Sequence, residues 1–107
     1  VFQAIDSRNV GVCIDTGHFD AANVSLSEVV DRLYHKVNHI HVKEAAAPGV
    51  EKFVRFGEGI TDNHRFIEQM VNRGYSGYIS VELAIEDKSN LIRDLTVPYK
   101  MFRKYEK

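Results

Sequence analysis

The sequence predicts an α/β fold in which parallel strands alternate with covering helices, and three observations carry that prediction. Short β-branched apolar runs recur along the chain, each is followed by a stretch of helical periodicity, and the crossovers are long enough for parallel pairing with right-handed connections. Two architectures satisfy this order, a doubly wound sheet and part of a closed barrel. Both set their chemistry at the C-terminal ends of the strands.

The first strand is the run Val10-Gly11-Val12-Cys13-Ile14, continuously apolar as expected of a strand buried on both faces, and it ends at Asp15-Thr16-Gly17-His18. After a polar loop, Ser25-x-x-Glu28 reads as a capping box, and Leu26, Val29, Val30, Leu33, Tyr34 and Val37 follow one helical face. The second strand, His39-Ile40-His41-Val42-Lys43, alternates in polarity and leads into a long loop containing Pro48-Gly49 and Gly57-Glu58-Gly59. Asp62 is set to cap a helix whose apolar face is Phe66, Ile67, Met70 and Val71, with Gly74 where a C-terminal cap belongs. Tyr78-Ile79-Ser80-Val81-Glu82-Leu83 is the third strand. A last helix, about Asn90 to Tyr105, carries Leu91, Leu95, Phe102 and Tyr105 and is expected to kink or split at Pro98.

The opening Val1-Phe2-Gln3-Ala4-Ile5-Asp6 reads as the tail of an amphipathic helix, so residues 1–107 are expected to be a fragment. Three parallel strands by themselves leave two open edges and an uncovered face. Such a chain is expected to need its missing N-terminal half or a second copy of itself as a homo-oligomer.

Composition narrows the partners. The 107 residues are 44% apolar, with 14 basic against 15 acidic side chains, which describes one globular unit and offers no attraction for nucleic acid or a membrane surface. No apolar run approaches the roughly 20 residues of a membrane helix, and a basic-then-apolar leader pattern is absent, so a cytoplasmic setting and a small-molecule partner are expected. The single cysteine, Cys13, lies in an apolar strand and is expected to be a buried, inert thiol.

Asp15, His41 and Glu82 each fall at or near the C-terminal end of a strand, where a barrel brings distant residues to one axial site. A mixed carboxylate and imidazole set suits Mn2+, Co2+, Mg2+ or Zn2+, whereas thiolates would favour structural zinc. Each residue also has a plainer reading. Asp15 can close a turn, His41 can be a hydrogen-bonded core histidine, and Glu82, in an apolar strand, is costly to bury unless paired or metal-bound. His18, three residues beyond Asp15, reads as a contact to a substrate hydroxyl or as a solvent-facing loop histidine. His39 shares a strand face with His41 one layer deeper, where packing is expected. His35 and His64 are expected on helix surfaces facing solvent. Gly57-Glu58-Gly59 lacks the spacing of a phosphate-binding loop and reads as a loop device.

Asp15-Thr16-Gly17-His18, His39-Ile40-His41-Val42-Lys43-Glu44, Phe56-Gly57-Glu58-Gly59 and Gly74-Tyr75-Ser76-Gly77-Tyr78-Ile79-Ser80-Val81-Glu82 resemble, in order and spacing, the C-terminal half of the xylose isomerase-like barrel superfamily. This superfamily includes sugar phosphate isomerases and epimerases, ketose 3-epimerases, inosose dehydratases and isomerases, and zinc apurinic-site endonucleases. The resemblance implies the C-terminal three βα units, about strands six to eight, of a (β/α)8 TIM barrel. It implies a divalent metal held by Asp15, His41 and Glu82, with a fourth ligand, a glutamate, on a strand preceding Val1. It also implies that Glu82 is one of two proton-transfer groups in a sugar or sugar phosphate isomerisation or epimerisation through an enediolate.

Departures from the pattern separate the branches. Ketose 3-epimerases set a substrate-contacting arginine a few residues after the His-x-x-Glu segment, where this chain has Ala45, Ala46 and Ala47. The endonucleases need an Asp-x-His pair where this chain has Glu51 and Phe53, which argues against that branch, as does the lack of a basic surface. The competing class is a non-catalytic barrel fragment that keeps three ligands and turns nothing over.

Overall fold

The computed structural model describes residues 9–83 and 89–105. The amphipathic opening expected at Val1 to Asp6 lies outside the described residues. Strands β1 (Val12–Asp15), β2 (Val37–Val42) and β5 (Tyr78–Val81) form one parallel sheet in the order β1-β2-β5. A two-residue antiparallel pair, β3 (Glu44–Ala45) with β4 (Phe53–Val54), stands beyond the C-terminal end of β2. Helices α1 (Thr16–Ala21), α2 (Leu26–Leu33), α3 (Asn63–Asn72) and α4 (Leu91–Phe102) supply the crossovers and cover.

The sheet has two unlike faces. Ile14, Ile40 and Val42 are fully buried against Val29, Val30, Phe66, Ile67 and Met70 of α2 and α3, with Ile79 and Val81 partly buried on the same cluster. The alternate residues, Cys13, Asp15, His39, His41, Ser80 and Glu82, turn the other way. The expectation of a strand buried on both faces therefore fails at β1. Cys13 is exposed rather than buried, because it lies opposite His39 on the face the helices do not cover.

Register decides which residues reach that face. Pairing shifts by one residue between Val12 and Cys13: Val12 is opposite Val37, whereas Cys13 is opposite His39, leaving Asn38 as the extra residue. Val37 can thereby pack on the core while His39 and His41 face Cys13 and Asp15. Val37 thus opens β2 and does not extend the preceding helix, which gives way to a 3-10 turn at Tyr34–Lys36.

The helix ends show where local chemistry acts and where packing overrides it. Ser25 stands at the start of α2 without a side-chain capping bond, so the capping box is not formed; burial of Val29 and Val30 holds the helix. Asp62 does cap α3, accepting from the Arg65 N–H at 3.1 Å, and Gly74 follows the helix with φ +92°. Helix α4 runs unbroken through Pro98, which is fully buried; the missing N–H costs one bond that the packing of Pro98 and Phe102 offsets. Tyr75 ties the start of β5 by donating its hydroxyl to the Tyr78 carbonyl at 2.6 Å, and burial, with Cys13 nearby, pushes that phenol up to about 12, so it stays a donor.

No helix among the described residues is long and apolar enough to cross a membrane.

Candidate metal centre

Asp15 is the last residue of β1, His41 is the penultimate residue of β2, and Glu82 immediately follows β5. Parallel pairing sets Asp15 opposite His41 and His41 opposite Ser80, and the Glu82 N–H continues the ladder by donating to the Val42 carbonyl at 3.0 Å. One donor atom from each of Asp15, His41 and Glu82 can be chosen so that all lie within 4.8 Å of one another. His41 Nδ1 is 3.2 Å from Glu82 Oε2.

The local sequence explains why these side chains stay there. Thr16 is fully buried, and its hydroxyl accepts from the Lys43 N–H at 3.0 Å and has the Lys43 carbonyl at 3.1 Å and the Asn63 carboxamide oxygen as acceptors. Asn63 in turn donates to the Lys43 carbonyl at 3.1 Å. This network locks the end of β2 to the end of β1 and the start of α3. Gly17 allows the close approach: a Cβ there would lie 3.1 Å from Lys43 Cβ and Cγ.

The electrostatics fit a divalent cation. Asp15 is pushed above the ordinary carboxyl range first by burial and then by the Glu82 carboxylate beside it, with the His18 N–H working the other way. Glu82 is held down to about 2, chiefly by the hydrogen bond it accepts from the Asp15 carboxyl, and further by His41 and Lys43, against the effect of burial. The two carboxyl groups thus push each other in opposite directions, a repulsion that a cation between them would relieve. Metal–oxygen and metal–nitrogen bonds of about 2.0–2.2 Å span a comparable sphere, so a contraction of under about 1 Å gathers the donors.

Glu82 is 40% exposed, so the burial cost invoked for it from sequence is only partial; it sits on the open face, and proximity to Asp15 is what marks it. His18 lies in the first turn of α1, half-exposed, with Nε2 3.7 Å from Asp15 Oδ2 and its N–H donating to Asp15 Oδ1 at 3.3 Å. Its ring meets Phe53 edge-on. His39 packs as expected, hydrogen-bonded to Ser80 at 2.7 Å beneath His41. His35 is exposed at the surface, but His64 is not: its ring lies against Phe102 and bonds Tyr105, because α4 folds back over the start of α3. Gly57-Glu58-Gly59 is a loop device with a specific partner. The Glu44 carboxylate accepts from the N–H groups of Gly57 at 2.7 Å and Gly59 at 2.8 Å, which occupies the donors an anion would need.

Lys43 is the residue that sequence reasoning missed. Its ammonium is 3.4 Å from Glu82 Oε1 and stacks over Phe53. The signal was available, since Lys43 is two residues past His41 in an alternating strand and so points to the same face.

The uncharacterized protein MJ1311 of Methanocaldococcus jannaschii is 31% identical over 84 residues, which is 77% of this chain and 28% of that protein. A crystal structure of the IOLI protein with a bound zinc atom superposes with a TM-score of 0.74 at 21% identity, covering 94% of this chain and 39% of that one. A xylose isomerase domain protein from Alicyclobacillus acidocaldarius superposes with a TM-score of 0.70 at 19% identity, covering 95% and 39%. The chain therefore spans well under half the length of these relatives, and its three βα units are part of a barrel. Residues 1–97 match the family model described as xylose isomerase-like TIM barrel, and the chain belongs to that family.

Proposed function

We propose that this chain is the C-terminal portion of a divalent-metal-dependent sugar or sugar phosphate isomerase or epimerase, with Asp15, His41 and Glu82 as metal ligands. The observation that carries the reading is the convergence of three donor atoms within 4.8 Å at the C-terminal ends of adjacent parallel strands. A bound ion, for which Mn2+, Co2+, Mg2+ and Zn2+ all suit the donor set, would polarise the carbonyl and hydroxyl oxygens of a sugar. Zinc is the atom in the IOLI structure.

The chain's own groups then divide the work. Glu82, ionised and half-exposed, takes or returns the proton on the carbon beside the carbonyl, by way of an enediolate. Asp15 and His41 fix where that carboxylate stands. His18, half-exposed and leaning on Asp15, is suited to a substrate hydroxyl, and Phe53 closes the side of the site behind it. The partner is a small sugar in a cytoplasmic setting, with no nucleic acid or membrane involved. A second reading applies to the 107 residues by themselves: a non-catalytic barrel portion that needs its N-terminal half or a second copy. Among the described residues β5 is an edge strand, and Tyr78 on the uncovered face is 80% exposed, which supports it.

Calorimetric titration with Mn2+ or Co2+ tests the site. His41→Ala and Glu82→Gln should each weaken binding by at least about tenfold, since each removes one of three protein ligands. Equal affinity in all three proteins would defeat the assignment. In the full-length parent, assayed on ketoses, ketose phosphates and inosose, Asp15→Asn should abolish turnover, and retained activity would defeat the mechanism.

A further inference from the structure

Lys43 has no part in the mechanism above, yet its ammonium is buried beside a ligand carboxylate. The side chain is 7% exposed, a rare setting for lysine. Its backbone is held on both sides, the N–H by Thr16 at 3.0 Å and the carbonyl by Asn63 at 3.1 Å. The side chain runs through space that a Cβ on Gly17 would crowd, and Nζ lies 3.9 Å from the centre of the Phe53 ring. At its far end, Nζ meets Glu82 Oε1 at 3.4 Å, while Glu82 Oε2 lies 3.2 Å from His41 Nδ1. Besides the Asp15 carboxyl, which also bonds Glu82, the two oxygens of this carboxylate thus have separate partners, the imidazole at Oε2 and the ammonium at Oε1.

We propose that Lys43 is a positioning residue that restricts Glu82 to one-oxygen coordination of a divalent cation, by occupying Oε1 and leaving Oε2 to the ion. The proposal rests on the metal-centre reading given under Proposed function. Such a lysine weakens cation binding in two ways. It blocks chelation through the second oxygen, and it sets a like charge beside the ion. In return, a coordination position stays open for a substrate oxygen, as sites that turn over require and closed structural sites do not. A lysine that merely props up the fold predicts the opposite sign, because a disturbed site binds metal less well.

The test is Co2+ titration of the chain, followed by calorimetry and by the visible absorption of bound Co2+, in the native protein, Lys43→Met and Lys43→Gln, with His41→Ala and Glu82→Gln as site controls. Lys43→Met should bind at least tenfold tighter, with weaker visible absorption as the second oxygen raises the coordination number. Lys43→Gln, which keeps a neutral donor for Oε1, should tighten binding less. Unchanged or weaker binding in a Lys43→Met protein with native circular dichroism would overturn the proposal. Should Lys43→Met fail to fold, Lys43→Gln decides alone: tighter binding supports the proposal, and equal or weaker binding overturns it. If the site controls bind Co2+ as the native chain does, the metal-centre reading falls and this proposal with it. If they lose binding and neither lysine variant gains it, the role of Lys43 alone is refuted.

Discussion

Replacing Thr16 by valine removes one hydroxyl from a side chain with no solvent exposure and keeps its shape. That hydroxyl is the partner of the Lys43 N–H at 3.0 Å and of the Asn63 carboxamide oxygen. The Lys43 carbonyl keeps its bond from the Asn63 amide at 3.1 Å, so two polar groups are orphaned. An orphaned buried group costs about 1–3 kcal/mol, which puts Thr16→Val, with two of them, at roughly 2–6 kcal/mol. For a chain of this size that corresponds to a fall in melting temperature of roughly 10–25 °C. Urea unfolding followed by circular dichroism measures it, with the slope unchanged and the midpoint lowered. Thr16→Ser restores the hydroxyl at the cost of one methyl group, about 1 kcal/mol, and should recover at least half of the loss. A Thr16→Val protein within about 1 kcal/mol of native would show that the network does not hold the strand ends together, and the account of how Lys43 is fixed would fail with it.

In the metal-free chain, Glu82 is lowered to about 2, so its contribution to stability is present above its ordinary value and is lost as pH falls toward that figure; Asp15 is raised, so its contribution is present below its ordinary value and lost as pH rises through the raised one. Carbon-13 carboxyl NMR should therefore find Asp15 titrating above Glu82, the reverse of the usual order, and two ordinary midpoints would contradict the coupling of the pair. Glu44→Gln replaces one of two acceptors for the Gly57 and Gly59 N–H groups, costing about 1–2 kcal/mol and speeding amide exchange at one of these glycines; unchanged exchange at both would mean the clamp is not needed. Asp94→Asn breaks a buried carboxylate's pair with Arg55 at 2.9 Å and should cost about 2–4 kcal/mol in urea unfolding, near the lower end because Arg55 is partly exposed; a loss under about 1 kcal/mol would refute the pairing's importance.

What the sequence made legible was periodic. Ile14, Ile40, Val42, Phe66, Ile67 and Met70 are recognised from spacing alone and form the core, and the polar residues at strand ends are recognised as exceptions to it. Distance along the chain hid the remainder. Thr16 and Asn63 are 47 residues apart and Arg55 and Asp94 are 39 apart, so neither pair has a local signature. The shift at Asn38 depends on how β2 lies against β1, which no property of β2 alone reveals, so by spacing alone Val37 continues the preceding helical face. Cys13 and Glu82 were judged by the apolar residues beside them, but neighbours in a strand face opposite ways, so their surroundings are set by the next strand over.

The one-residue shift at Asn38 also separates two tasks along β2. On its C-terminal side, His39 and His41 face the site while Ile40 and Val42 face the helices; before it, Val37 joins the helical side. Chemistry and folding are thereby written on alternate letters of the same few residues. Substitutions at His39, His41 or Lys43 can change what the site does while the core set keeps its packing, and the reverse holds for Ile40 and Val42. A strand arranged in this way lets the open face be altered without first rebuilding the core beneath it.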